Sequence, residues 1–209
     1  AMVTDARAKR VNFTGPLEGN ADIALKRGVG SGLLTVNETE PVHFKAGPLS
    51  AGKTIIIDSA AWQAVQGDIK KTTTWKPDSR IHVTSSLTIA QGATLTIQSG
   101  SVVKLAPKVE VTVHGRIIID GTETAPVVFC PESPETPWGG VTLSGANAAV
   151  EAEWAFVTGS GGNSWWFVAN NVAGTHRNEQ AAFFLGKKAV GTFSDCFFID
   201  NAGQAFHGE

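Results

Sequence analysis

Five carboxylates in the second half of the chain fall in strand-like surroundings: Asp120, Glu151, Glu153, Asp195 and Asp200. Glu151 and Glu153 are two residues apart, so a regular strand places both side chains on one face, about 7 Å apart. That spacing lies within the roughly 5–9.5 Å over which paired carboxylates hydrolyse glycosidic bonds. The pair reads equally well as the solvated outer face of a strand. His176-Arg177-Asn178-Glu179 is the densest polar cluster in this half. It could supply a base and a cationic clamp for an acidic sugar, or simply form an exposed loop. Glu151, Glu153, His176 and Arg177 are therefore the catalytic candidates, and no convergent set emerges from them. Trp165 and Trp166 adjoin the turn cluster Gly159-Ser-Gly-Gly-Asn163. Consecutive strand residues face opposite sides, so one indole should point outward and offer a flat apolar platform to a sugar ring. Packing of both rings into a core or loop is the plainer alternative.

Other chemistry is excluded by what the chain lacks. There is no Gly-x-Ser-x-Gly elbow, phosphate-binding loop or His-Glu-x-x-His motif. Cys130 and Cys196 are the only cysteines and form no Cys-x-x-Cys pair, so neither a zinc knot nor a redox motif is expected. Both lie in apolar runs, and 66 residues of separation corresponds to about three coils at the repeat described below, so both thiols are expected to be free. The net charge is −2 and the basic stretches are short, which argues against nucleic-acid binding. No run of about 18 apolar residues occurs, so no membrane span is expected. Charged residues make up only 17% and apolar residues 42%. This is the composition of a β-rich extracellular protein and not of a disordered one.

The elements that would position these residues are strands. Apolar residues rarely recur with helical spacing, the best stretch being the short Ile57 to Val65, whereas period-two alternation is strong. In residues 1–70, strand-like runs at Val11-Phe13, Leu33-Val36, Val42-Phe44 and Thr54-Ile57 suggest a small β-rich module, sandwich-like or built of hairpins. From about residue 75 a repeat appears. Leu95-Thr-Ile97 is followed 22 residues later by Ile117-Ile-Ile119, Leu87-Thr-Ile89 by Val109-Glu-Val111 at the same step, and Val103-Lys-Leu105 after 24 residues by Val127-Val-Phe129. Three short strands advancing together by one step are the signature of a stacked coil with roughly 20–25 residues per turn. A leucine-rich repeat shares the period but not its Leu-x-x-Leu-x-Leu pattern. The proline-rich Pro131–Pro137 interrupts the third coil. Runs at Trp165–Val168, Ala181–Leu185, Val190–Phe193, Cys196–Asn201 and Gln204–Phe206 read as further coils. Asn201 fits a corner whose amide bonds the next coil, and Trp62, Trp75 and Trp138 are expected to plug coil ends or junctions.

The stretch Gly92-Ala-Thr-Leu-Thr-Ile-Gln-Ser-Gly100-Ser-Val-Val-Lys-Leu105 resembles a motif of bacterial right-handed parallel β-helix repeat proteins. So do Val113-His-Gly115-Arg-Ile, Asp120-Gly-Thr-Glu-Thr-Ala-Pro-Val-Val-Phe129 and Trp138-Gly-Gly-Val. Ser99 stands where the motif usually has Pro. The resemblance covers about residues 73–145 well and the remainder loosely. It implies secreted or surface proteins, of the kind found beside lamin-tail and spore-coat-kinase-like domains.

The expectation is thus an all-β chain: a small N-terminal module over 1–70, then a right-handed parallel β-helix over 71–209. The repeat pattern is still running at Glu209, so a fragment of a longer protein, or an end covered by self-association through the open last coil, is expected. The expected role is a non-catalytic extracellular or cell-surface module acting as spacer, adhesin or glycan-binding element. The alternative is a polysaccharide lyase or glycoside hydrolase with its groove on the β-helix face. No cofactor is expected; lyases of this fold often bind Ca2+ through acidic side chains, and no such ligand set stands out here.

Overall fold

A computed structural model describes residues 10–15, 17, 22–25, 41–46, 49–54, 61–174 and 178–209. The chain divides into two compact units, Ala1–Ala60 and Ala61–Glu209. The first contains an antiparallel sheet of β1 (Arg10–Thr14), β2 (Asp22–Ala24), β3 (Pro41–Ala46) and β4 (Leu49–Thr54), in the order β2-β1-β3-β4. Val11 and Ala46 are buried, and Phe13 lies 6.0 Å from Phe44. Asp22 receives a hydrogen bond from Asn12 and lies 4.0 Å from the Arg10 guanidinium. The expected strand Leu33-Val36 lies outside the described residues, as do 55–57 of the run expected at Thr54-Ile57.

The second unit is a right-handed parallel β-helix, nearly all strand. Its first coil holds β5 (Gln63–Ile69) and β6 (Thr73–Trp75). β5 bends at Gly67, where the register shifts and φ is +79°, so one strand serves two sides of the coil. The helix thus takes in residues 61–70, assigned above to the N-terminal module; 61–65 of the Ile57–Val65 stretch lead into β5, and 57–60 lie outside the described residues. The second coil is β7 (Arg80–Ile89) and β8 (Thr94–Gln98), and the third β9 (Val102–Leu105), β10 (Val111–Val113) and β11 (Arg116–Asp120). The fourth is β12 (Val127–Pro131), β13 (Val141–Leu143) and β14 (Ala149–Glu153). In the fifth, β15 (Ala155–Thr158) and β16 (Phe183–Leu185) are separated by a long insertion carrying α1 (Trp166–Ala169), and β17 (Val190–Ser194) follows. β18 (Phe197–Ile199) and β19 (Phe206–Gly208) complete the described strands. The expected strand at Trp165–Val168 is therefore a helical turn inside an insertion.

The strands stack into three parallel walls. Wall A runs through the first half of β7, then β9, β12, β15 and β18; wall B through the second half of β7, then β10, β13, β16 and β19; wall C through β6, β8, β11, β14 and β17. Inward residues are mostly β-branched or Leu, which stack on their equivalents one coil away. Ile81, Leu87, Ile89, Leu95, Ile97, Leu105, Ile117 and Ile119 are almost wholly buried. Trp75 and Trp138 are also buried, Trp138 stacking on Phe129 and donating its Nε1–H to Thr158 O at 2.9 Å. Trp62 instead is largely exposed, with Lys104 Nζ 4.1 Å from its ring centre.

The register corrects two of the three expected alignments. Leu95 pairs with Ile117, as the 22-residue step predicts. Leu87 pairs with Val111 rather than Val109, and Val103 with Phe129 rather than Val127. Each error is two residues. A shift of two keeps every side chain on its original face, so alternation alone cannot detect it.

Candidate functional site

Wall C carries the expected carboxylates. In β14 the burial alternates: Val150 and Ala152 point into the core, while Glu151 and Glu153 are exposed. Parallel pairing sets Glu153 beside Asp120 of β11 and Ser194 of β17, and Glu151 beside Ile118 and Thr192. Asp120, Glu151, Glu153, Thr192 and Ser194 thus line a shallow trough of about 330 Å³. The Arg116 guanidinium, one coil away, donates to Glu151 and neutralises it. Arg116 carried no signal in the sequence, because the pairing that places it near Glu151 spans 35 residues. Asp195 and Asp200 lie instead at coil corners with φ of +51° and +52°, a left-handed geometry in which Asp is better tolerated than most residues.

The remaining candidates lie elsewhere. His176 and Arg177 lie outside the described residues. Trp165 precedes α1 in a left-handed conformation (φ +62°) and is 62% exposed. Trp166 is buried against Phe167 and Phe184, at ring distances of 5.3 and 5.0 Å. One indole does face outward, but on a helical turn rather than a strand. Because Phe184 belongs to β16 of wall B, α1 is seated on wall B, and the structure does not bring Trp165 together with Glu151 and Glu153.

A buried polar network fastens this insertion, and Glu110 is its centre. Asn163 Nδ2 donates to Glu110 Oε1 (2.9 Å) and Gln180 Oε1 (2.7 Å), and the fully buried Gln180 donates to Thr142 Oγ1 at 3.3 Å. Burial pushes the Glu110 carboxyl above the ordinary carboxylate range, opposed by hydrogen bonds from the Trp166 indole and the Gln180 amide. Nothing local in the sequence marks Glu110, since the partners of its carboxylate lie 53 or more residues away. Asn201 holds a corner as expected, but its amide bonds the coil before it rather than the next: Oδ1 accepts from Ser160 N (2.9 Å) and Oγ (2.8 Å), and Nδ2 donates to Val157 O at 3.0 Å.

On wall A, Lys104 is paired between His82 and Cys130. His82 Nε2 lies 3.4 Å from Glu132 Oε1 without hydrogen-bonding it. Cys130 and Cys196 are free thiols. Burial raises both above the usual thiol range, and for Cys130 the nearby Lys104 charge pulls the other way. The pairing puts Cys196 two coils from Cys130, not three, because the insertions lengthen the later coils. Two coils is about 10 Å, still beyond disulfide reach. Among the described residues, no group of three or more His, Cys, Asp and Glu side chains is placed to hold a metal ion. Among them, too, no helix is long and apolar enough to cross a membrane.

A family model described as a pectate-lyase like beta helix domain matches residues 67–164. No curated protein and no solved structure matches the chain. The matched segment contains the second to fourth coils, all of β14 and the turn leading to Trp165. The match and the three parallel walls agree on the architecture of the second unit, a parallel β-helix of repeated coils.

Proposed function

We propose that this chain is a non-catalytic module of a larger secreted or cell-surface protein, a stiff β-helix spacer that offers glycan-binding surface. The observation that carries this reading is the state of the best-placed carboxylates. Glu151 is neutralised by Arg116, and both Glu151 and Glu153 are exposed on the outer face of a strand, in a trough too shallow to exclude water. Stabilising developing charge on a substrate calls for groups preorganised in a water-excluded site. The low charge content and the apolar core running from Trp75 to Phe183 support a durable extracellular scaffold.

The test is incubation with a panel of neutral and acidic polysaccharides while reducing ends and unsaturated products are assayed. The expected result is no release above a buffer control. Release abolished by Glu151→Gln or Glu153→Gln would overturn the reading in favour of a polysaccharide lyase or glycoside hydrolase. That second reading is favoured by the match to a pectate-lyase-like family model and by the register pairing of Asp120 with Glu153.

A further inference from the structure

The corner between walls B and C changes length from coil to coil, and the change opens a notch. In the second coil, four residues, 90–93, join β7 to β8. In the third only His114 and Gly115 join β10 to β11, and in the fourth five residues, 144–148, join β13 to β14. The two longer corners stand away from the stack. Each has a glycine at positive φ, Gly92 at +81° and Gly145 at +114°, with open space where a Cβ would be. The short corner is pulled tight against the coil below. A Cβ on Gly115 would meet Ala90 O at 2.4 Å and Ala93 O at 2.2 Å. A short corner between two longer ones leaves a cavity of about 410 Å³, lined by His114, Asp68, Thr88, Gln91, Ser144 and Asn147 among others.

His114 is held in one orientation. Its Nδ1 lies 2.8 Å from Ser144 O, and since a carbonyl oxygen can only accept, Nδ1 carries the proton. In that tautomer Nε2 is left as an acceptor. Gln91 and Asn147 add amides that both donate and accept. The Asp68 carboxylate is offset by Lys70 Nζ at 3.6 Å, so the notch carries little net charge. Alternating donors and acceptors without net charge suit hydroxyl groups, each of which does both. No Phe or Trp lines the notch, so a ring bound there would be held by its hydroxyl edge.

We infer that this notch is a binding site for a neutral glycan, gripping one or two sugar rings through their hydroxyls. The size matches that of small-ligand pockets, roughly 300–1,000 Å³. The inference rests on the reading of the chain as a glycan-binding module and names the site and the class of sugar. Turnover at another place would overturn that reading and leave this site's binding test unchanged.

The test is calorimetric titration of the whole chain with tetrasaccharides of glucose, xylose, mannose and galactose, and with tetragalacturonate as the acidic probe. Saturable binding of at least one neutral probe is expected. His114→Ala should weaken it about tenfold, the loss of one well-oriented hydrogen bond. Asn147→Ala, on an exposed turn outside the ladder, should weaken it several-fold. Melting curves confirm that each variant is folded; should His114→Ala fail to fold, Asn147→Ala decides. Failure of every neutral probe to saturate, binding of tetragalacturonate alone, or unchanged affinity in Asn147→Ala would each overturn the inference.

Discussion

The early coils and the late coils share one architecture and differ in how they are held. From β7 to β11 the interior is mostly aliphatic, with Leu95, Ile97, Ile117 and Ile119 stacked in register and almost wholly buried. From β16 onward the filling is aromatic. Phe183, Phe193, Phe198 and Phe206 pack together with closest ring distances of 4.6 Å, and Phe206 remains 42% exposed. Polar clamps supplement the core there: Asn201 ties the last corner to the coil before it, and the Glu110, Asn163 and Gln180 network ties down the insertion. A parallel β-helix therefore tolerates two ways of filling a coil, by stacked β-branched residues or by ring packing with side-chain hydrogen bonds. The first depends on a regular step; the second accommodates insertions.

The largest expected effect tests the core contrast. Ile119→Ala leaves a cavity with no route to collapse and should cost about 3 kcal/mol, whereas Phe198→Ala, in a half-exposed cluster that can relax, should cost about half as much despite the larger deletion. Urea unfolding measures both, and equal losses would break the comparison. Next comes the corner clamp. Asn201→Ala strands the Ser160 donors and the Val157 carbonyl, a loss of about 2 kcal/mol. Amide exchange at Ser160 should accelerate while exchange at Ile119 stays slow, and unchanged protection at Ser160 would show that the clamp is dispensable.

A smaller effect is expected at Glu110. Its folded pKa lies above the ordinary 4.5, so the folded state binds the proton more tightly than the unfolded chain. The resulting stability is complete below pH 4.5 and is lost as pH rises through the raised value. Glu110→Gln should remove that decline, leaving the variant at least as stable as the parent at pH 7 in thermal melts. A less stable variant would mean that the hydrogen bonds to the charged carboxylate outweigh its burial. The smallest effect belongs to the open wall. Arg116→Ala should cost about 0.5 kcal/mol, vanishing in about 1 M salt, because the pair with Glu151 is solvated. A larger, salt-resistant loss would make the trough on wall C a more organised site than its exposure indicates.

Much of the architecture was legible in the residues, and little of the site. Glu151 and Glu153 could be placed on one outward face because alternation is local. Their neighbours Arg116, Asp120 and Thr192 could not, since those arrive through pairings of 33 to 41 residues whose lengths depend on inserted loops. The notch at His114 is invisible in sequence for the same reason: it exists only because a two-residue corner lies between longer ones. Trp165 shows the reverse failure. Alternation correctly expected one exposed indole, but the turn is helical, set by packing of Trp166 and Phe167 on Phe184 rather than by strand pairing.

The sequence by itself determined which side chains face the core and that short strands recur as a stacked coil. Those properties follow from the two-residue pleat and from the punctuating glycines. The tertiary structure alone decided the register. Leu87 beside Val109 or Val111 is equally well buried, and so is Val103 beside Val127 or Phe129. A slip of two residues costs nothing in alternation, and only the fitting of whole coils, corners included, separates the two.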